Sequence, residues 1–522
     1  MSLYLISSIL LIFNLGLNKY ILLFAFIITV LLIFIVTKEH GFINKTIYIL
    51  ILFFIVILSI IISTNIYDIS YDGQSYHQIA LMDLNDNWNP YYAPLSENIW
   101  VSHYPKASWL AASTIFKFTG NIEAGKSINL ILIFASFFLV LSFLLMFEKI
   151  SFVFAFYASL ICSFNPVSIY QSLTYYIDGQ IATLLLILCV LSCLIFKEIN
   201  MLIYLLYVLV TIYIVNLKFT AILYVATFII GLVLFSLFKK KWKELKYIIA
   251  AFIIGILLGV TVFGYNPYIT NFVTKGHPFF PLAGKDSIDI MSGNSPYNFI
   301  GKNRFEKFIL SFFGETSNLA LEGSKESTRL KIPFTFKPKE LIWYAGPDPR
   351  INGFGVFYSG IFMLSFVGLF FSYLKEQTKN LKVYLFIILI LLLSVFINPE
   401  CWWARYVPQL YFIPITILIY LYLINKKWTK TLSWAILVLL MLNQSSMGAT
   451  NYFYNTVKTN YINNILKNIK EKTKTEVDVL LFFKSTKFKL EKFGIKYKEV
   501  RNEKDLKCEK PFDLLKSKIC IN

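Results

Sequence analysis

The sequence predicts an all-α polytopic membrane protein of about 11–13 spanning helices, with a small α/β appendage at its C-terminal end. Three observations lead there. Of the 522 residues, 57% are hydrophobic and 15% charged, well below the roughly one quarter charged that soluble chains carry. Apolar runs recur near 3–15, 20–37, 46–64, 127–147, 150–166, 180–196, 201–217, 219–237, 247–265, 354–374, 383–397, 409–424 and 431–446, each close to or somewhat short of a ~20-residue bilayer crossing. After about residue 450 the composition turns to Lys, Glu and Asn.

The formal net charge of +19 would suggest nucleic acid in a soluble domain. Here the lysines sit in short turns between apolar runs and in the tail, so nucleic acid is set aside as a partner and the bilayer takes its place. Lys239, Lys240, Lys241, Lys243 and Lys246 crowd one turn, which the positive-inside rule places in the cytoplasm. Alternating from there keeps Lys38, Lys45, Lys149, Lys197, Lys375, Lys379, Lys382, Lys426, Lys427 and Lys430 inside as well. The loop 65–126, the turns at Asp178 and Lys218, the loop 266–352, the turn 398–408 and the tail then lie outside. The expected location is the cell (inner or plasma) membrane, multi-pass, with the chemistry on the extracytoplasmic face.

Two domains are expected, a transmembrane bundle over 1–450 and a small extracytoplasmic domain over 451–522. In the first outer loop, Gly73 to Leu84 reads as a short amphipathic helix, and a second helical run follows His103-Tyr104-Pro105-Lys106 through Phe116. Trp88, Trp100 and Trp109 suit elements lying in the headgroup region. The loop 266–352 is expected to be ordered, since long structureless loops are uncommon unless functional. In the tail, Val477–Phe483 is strand-like, Ile495–Val500 alternates weakly, and a helix is expected between them. No CxxC pair occurs. Cys162, Cys189 and Cys193 read as core residues, and Cys508 and Cys520 can pair if the tail is outside the cytoplasm.

The candidate site residues follow from which outer turns carry charge. Asp72, in Tyr71-Asp72-Gly73-Gln74-Ser75-Tyr76-His77, is a carboxylate able to take a proton from an attacking hydroxyl; Asp is also a favoured helix cap. Tyr76 and His77 follow within a turn. Asp178, in Tyr175-Tyr176-Ile177-Asp178-Gly179, is a second carboxylate at an outer turn, although Asp-Gly is also an ordinary turn pair. The two acids could share a substrate or a divalent cation, but no clustered ligand set is visible and no cofactor is otherwise indicated. Arg405, in Trp402-Trp403-Ala404-Arg405-Tyr406-Val407-Pro408, offers a bidentate fork for phosphate. Lys218 stands in a tight outer turn where lysine is not expected, and Lys106 is a weaker case of the same kind. His103, Tyr104, His277 and Tyr406 complete the set of candidate binding residues.

At Asp72-Gly73-Gln74-Ser75-Tyr76-His77, His103-Tyr104-Pro105, Asp178, Gly276-His277-Pro278-Phe279-Phe280-Pro281, Gly353-Phe354-Gly355 and Arg405-Tyr406-Val407-Pro408, the chain resembles the GT-C membrane glycosyltransferases, the superfamily of protein mannosyltransferases and lipid A aminoarabinose transferases. Order and membrane side agree over roughly residues 46–420. The resemblance implies a GT-C-like helix bundle with in-plane helices in the first outer loop, and inverting transfer from a polyprenyl-phosphate sugar to a lipid, glycan or protein acceptor. It implies Asp72 as general base, with Asp178 assisting. The chain departs from the pattern in having Gly73 where an Asp-Glu pair would place its acid, and in two extra N-terminal spans.

Three other readings compete. A polysaccharide polymerase or ligase would rest on outer-loop Arg and His rather than an early Asp. A transporter or flippase of lipid-linked sugars would carry ionisable or broken-helix residues within its spans; Asn165-Pro166 is the one such hint. A structural membrane subunit would need none of these residues.

Overall fold

The computed structural model describes residues 1–37, 41–92, 96–319, 326–376, 378, 380–473, 475–508 and 511–521. Lys38 and Lys379, two of the lysines expected at inner turns, lie outside the described residues. The chain is helical almost throughout, with a four-stranded sheet at its C-terminal end.

The helices run α1 (Ser2–Ile12), α2 (Ile21–Val36), α3 (Phe42–Thr64), α4 (Gln78–Asn85), α5 (Ile99–His103), α6 (Ala107–Thr119), α7 (Ser127–Leu145), α8 (Phe152–Ser163), α9 (Pro166–Gln171) and α10 (Asp178–Lys197). They continue with α11 (Met201–Val215), α12 (Phe219–Phe238), α13 (Trp242–Leu258), α14 (Thr270–Lys275), α15 (Arg304–Phe312), α16 (Pro338–Leu341), α17 (Tyr358–Glu376), α18 (Leu381–Phe396), α19 (Phe412–Ile424), α20 (Lys427–Lys472) and α21 (Thr486–Lys492). Among the described residues, seven helices are long and apolar enough to cross a membrane, and six shorter apolar helices accompany them. Together they fall one for one on the apolar runs read from the sequence.

Lipid as the solvent explains the surface. Helix α3 leaves Phe42, Ile43, Phe53 and Phe54 more than half exposed, a pattern that water penalises and hydrocarbon accepts. Helix α10 is the most enclosed of the seven long apolar helices. It packs against α7, α9 and α11 and so forms the axis of the bundle.

The ends of the helices separate charge. Helix α12 has Lys218 immediately before it and Lys239 to Lys241 immediately after, some 30 Å apart over its 20 residues. Helix α10 likewise begins at Asp178 and ends at Lys197. The basic turns therefore collect at one end of the bundle and the acidic and aromatic loops at the other.

The loop after α3 differs from the single helix expected over Gly73–Leu84. Gly73–His77 forms a wide π-type turn, and regular helix begins only at Gln78. Side-chain hydrogen bonds from the preceding residues hold the backbone there, as described below. The second helical run is α6. The loop after α13 contains α14, α15 and α16, with Asn303 and Glu306 closing a capping box at the start of α15. The Asn165-Pro166 break is a capped turn: the Asn165 side chain accepts from Val167 N at 3.0 Å and donates to the Pro408 carbonyl at 3.0 Å.

Helix α20 runs unbroken from Lys427 to Lys472, so its C-terminal half carries the chain well past the apolar region. Strands β1 (Val477–Leu480), β2 (Tyr497–Glu499), β3 (Phe512–Leu514) and β4 (Ser517–Ile521) form a sheet in the order β2-β1-β4-β3. Strands β1 and β2 pair in parallel through α21, while β4 runs antiparallel to β1 and β3. The sheet and α21 bury Val477, Val479, Leu490, Leu514 and Ile519 against Leu466 and Ile469 of α20. Cys508 and Cys520 are joined in a disulfide. Of the three cysteines expected in the core, Cys162 is buried, Cys189 is half-buried and Cys193 is exposed. A free Cys behaves as a small hydrophobe and is at home on a surface facing lipid.

Candidate active site

Five chain segments meet at the acidic end of the bundle. Asp72 precedes the π-type turn, Asp178 opens α10, Lys218 precedes α12, Asp348 lies between Pro347 and Pro349 ahead of α17, and Arg405 sits in a short 3₁₀ turn, Ala404–Tyr406, ahead of α19.

Arg405 is the hub. Its Nε lies 3.0 Å from Asp348 Oδ1, and its Nη1 lies 3.7 Å from both Asp72 Oδ2 and Asp178 Oδ2. The guanidinium stacks near Trp403, Tyr406 and Tyr176, with ring centroids 4.7, 5.0 and 5.3 Å from its carbon. These aromatic faces hold a planar cation in place.

Asp178 is tied down on both oxygens. Lys218 Nζ donates to Oδ1 at 2.5 Å and Gln171 Nε2 to Oδ2 at 3.3 Å. Gln171 Oε1 in turn accepts from Gly179 N at 2.8 Å. A carboxylate at the head of α10 is also favoured by the helix dipole. Lys218 Nζ stands 4.2 Å from the centre of the Tyr406 ring. Burial pushes the Lys218 ammonium below the ordinary lysine range, and Asp178 beside it opposes that shift.

Asp348 accepts from Trp403 Nε1 at 2.8 Å and has Arg350 Nε 3.7 Å away. Burial raises its carboxyl above the usual range, against the pull of Arg405 and Arg350. Asp72 differs from the other two acids: its side chain is 27% accessible, against 3% for Asp178 and 14% for Asp348. It is the carboxylate an incoming molecule can reach.

Tyr76, Tyr104, Tyr176 and Tyr406 surround the charges closely enough for Asp72 or Asp178 to raise their phenol pKa values, although burial is the largest cause in each. His77 stacks on Tyr76 at 4.2 Å, and its Nδ1 accepts from Trp109 Nε1 at 2.6 Å. Burial lowers its imidazole to about 3, so it is a neutral ring with the proton on Nε2.

The other candidates lie elsewhere. Lys106 is buried between Trp88 and Trp109, and its ammonium donates to the Ser102 and Tyr104 carbonyls and to Asn266 Oδ1. It fixes the backbone of Tyr104. His103 Nδ1 pairs with Asn271 Oδ1 at 2.7 Å, and His277 Nδ1 accepts from Phe279 N at 3.1 Å. Both histidines order loops. Among the described residues, no set of three or more His, Cys, Asp or Glu is placed to hold a metal ion.

The sequence reading passed over Asp348, Tyr176 and Gln171. Gly346-Pro347-Asp348-Pro349-Arg350 lies unmarked within the loop 266–352, although an acid locked between two prolines and followed by Arg is a stiff, charged corner. The departure at Gly73 has a steric cause: a Cβ there would run into Asp68 Oδ2 and Ser70 Oγ.

Neither a family model nor a curated protein sequence matches this chain. Among solved structures it is similar to ArnT from Cupriavidus metallidurans, crystallised bound to undecaprenyl phosphate, with 9% identity over 88% of this chain and 86% of that one and a TM-score of 0.49.

Proposed function

We propose that this chain is an integral-membrane glycosyltransferase that moves a sugar from a polyprenyl-phosphate donor to an acceptor hydroxyl at the outer face. The observation that carries the reading is the Arg405 cluster: one accessible carboxylate, Asp72, beside two fixed cations, Arg405 and Lys218, at the end of an apolar bundle. Asp72 takes the proton of the acceptor hydroxyl as its oxygen attacks the anomeric carbon. The bond from that carbon to the phosphate oxygen breaks on the opposite side, so configuration inverts. The electron pair leaves with the polyprenyl phosphate, whose growing negative charge Arg405 and Lys218 meet. Asp178 keeps Lys218 aimed. Phosphate is a stable leaving anion, so no strong general acid is required. The acceptor is a hydroxyl of a lipid, glycan or protein. The outer placement is supported by the basic turns at the opposite end of the bundle and by the Cys508–Cys520 disulfide in the tail.

The test is transfer or hydrolysis of labelled sugar from a polyprenyl-phosphate donor by membranes carrying wild type or Asp72→Asn. Turnover should fall about 10²- to 10⁴-fold in the variant while donor binding is kept. Unchanged turnover removes Asp72 as the base. A well-folded wild type that neither binds nor turns over the donor removes the transferase reading and favours transport.

A further inference from the structure

A second buried charge cluster lies behind the site, and one of its members comes from the C-terminal domain. Lys489 of α21 is 2% exposed and points its ammonium at Glu123 Oε1, 3.7 Å away. Glu123 Oε2 accepts from Lys126 Nζ at 2.6 Å and from Asp68 N at 2.9 Å. Lys126 also donates to the Ile66 carbonyl.

Asp68 connects this cluster to both catalytic loops. Its Oδ1 accepts from Ser70 N at 2.9 Å and Ser70 Oγ at 2.5 Å. Ser70 Oγ accepts in turn from Gly73 N at 3.2 Å, next to Asp72. Asp68 Oδ2 accepts from Tyr175 N at 2.7 Å, three residues before Asp178. One carboxylate therefore pins the two segments that carry the site's acids.

The cluster balances two carboxylates, Asp68 and Glu123, against Lys126 and Lys489. Without Lys489 it would hold two buried anions for one cation. Buried ion clusters are poor stabilising devices, because desolvation offsets their attraction, but they can fix position. An α/β appendage held on only for stability would bury an apolar side chain here, as it does at Phe488, which packs on Phe116 at 5.5 Å. The domain also touches the residue before Asp72: Phe483 packs on Tyr71 at 5.8 Å, and Lys516 lies 5.3 Å from the centre of that ring.

We propose that the C-terminal domain is a working part of the site and that Lys489 is its positioning residue, acting through Glu123 and Asp68 to hold Asp72 and Asp178 in register. The catalytic half of this inference rests on the glycosyltransferase reading; the structural half does not.

The experiment uses the full chain in detergent or nanodiscs, with Lys489→Met, Lys489→Met/Glu123→Gln and Lys489→Arg. Amide hydrogen exchange is read over 68–78 and 174–179, and separately over 477–521. Lys489→Met should quicken exchange in both site segments. Adding Glu123→Gln, which restores the charge balance, should slow it again, and Lys489→Arg should match wild type. Quickening confined to 477–521, or a double variant as loose as the single one, overturns the proposal.

Turnover of a labelled polyprenyl-phosphate sugar supplies the second readout. Lys489→Met should lose about tenfold to a hundredfold in kcat with KM unchanged. It should recover in the double variant, and also as pH falls, when a proton on Asp68 or Glu123 replaces the missing charge. Lys126, Tyr67, Tyr175 and Tyr176 are the other titratable groups against these carboxylates, with Lys492 over the Tyr67 ring. A kcat loss that neither acid nor Glu123→Gln restores also overturns the proposal. If wild type turns over no such donor, the glycosyltransferase reading fails, and the exchange results alone decide the relay.

Discussion

His77 sets a limit on how this protein tolerates acid, and the size of that limit follows from its surroundings. The ring is 1% exposed. Its Nδ1 is occupied by the indole N–H of Trp109 at 2.6 Å, so protonating that nitrogen would set two donors against each other. Burial lowers the folded pKa to about 3 from an ordinary 6.5, with Lys218 and Arg405 adding to the shift and Asp178 opposing it. In the unfolded chain the ring takes a proton below about pH 6.5, while in the folded chain it does not until about pH 3. Stability from this residue is therefore complete above pH 6.5 and drains away as pH falls toward 3. At about 1.4 kcal/mol per unit, the loss reaches about 3 kcal/mol near pH 4.5 and about 5 kcal/mol at the lower limit. Asp348, whose carboxyl is raised by burial, works in the opposite sense, gaining its proton at a higher pH when folded than when unfolded and so adding stability in acid that is lost as pH rises. His77→Asn separates the two, because an amide oxygen can still accept from Trp109 but never titrates. Unfolding of wild type and variant in detergent, followed from about pH 7 to 4.5, should show wild type losing about 3 kcal/mol relative to the variant. Nitrogen chemical shifts of labelled histidine should show His77 neutral across that range. Parallel pH dependences, or an imidazole that titrates near 6.5, would refute the reasoning.

Three further outcomes are expected. Arg405→Lys keeps the charge but cannot reach Asp348, Asp72 and Asp178 at once, so donor turnover should fall about 10²-fold; Arg405→Gln, which leaves buried carboxylates short of a cation, should also cost about 3–5 kcal/mol in thermal unfolding. Cys508→Ser opens a cross-link spanning 12 residues, worth about 3 kcal/mol by loop entropy, and hydrogen exchange over 512–521 should quicken accordingly while exchange in the spanning helices is unchanged.

The spans were legible because the bilayer imposes one demand, an uninterrupted apolar run, that needs no knowledge of partners. Asp178 and Lys218 could be singled out for a related reason. Each stands alone at the end of a span, and a short turn leaves a charged residue few places to go. Asp348 had no such marker, since it lies in a long loop of mixed composition. Its place against Arg405 depends on how residues 346–350 settle against Trp403 and Gln171, a matter of tertiary contact rather than local pattern. Lys489 is the extreme case. In a tail crowded with lysines nothing distinguishes it, yet it is one that is buried, because α21 turns that one position toward Glu123. The sheet behind it was equally hidden in part: β1 falls in an apolar, strand-like run and β2 in a weakly alternating one, whereas β3 spans only three residues and β4 mixes Ser, Lys and Cys with its two Ile. Sequence marks charged residues where the chain has no room to hide them, and it is silent where packing alone decides which of many equals is enclosed. The residues that aim the site, Asp68, Glu123 and Lys489, belong to the second kind, so their roles are best judged by whether removing one charge loosens the loops that another segment of the chain provides.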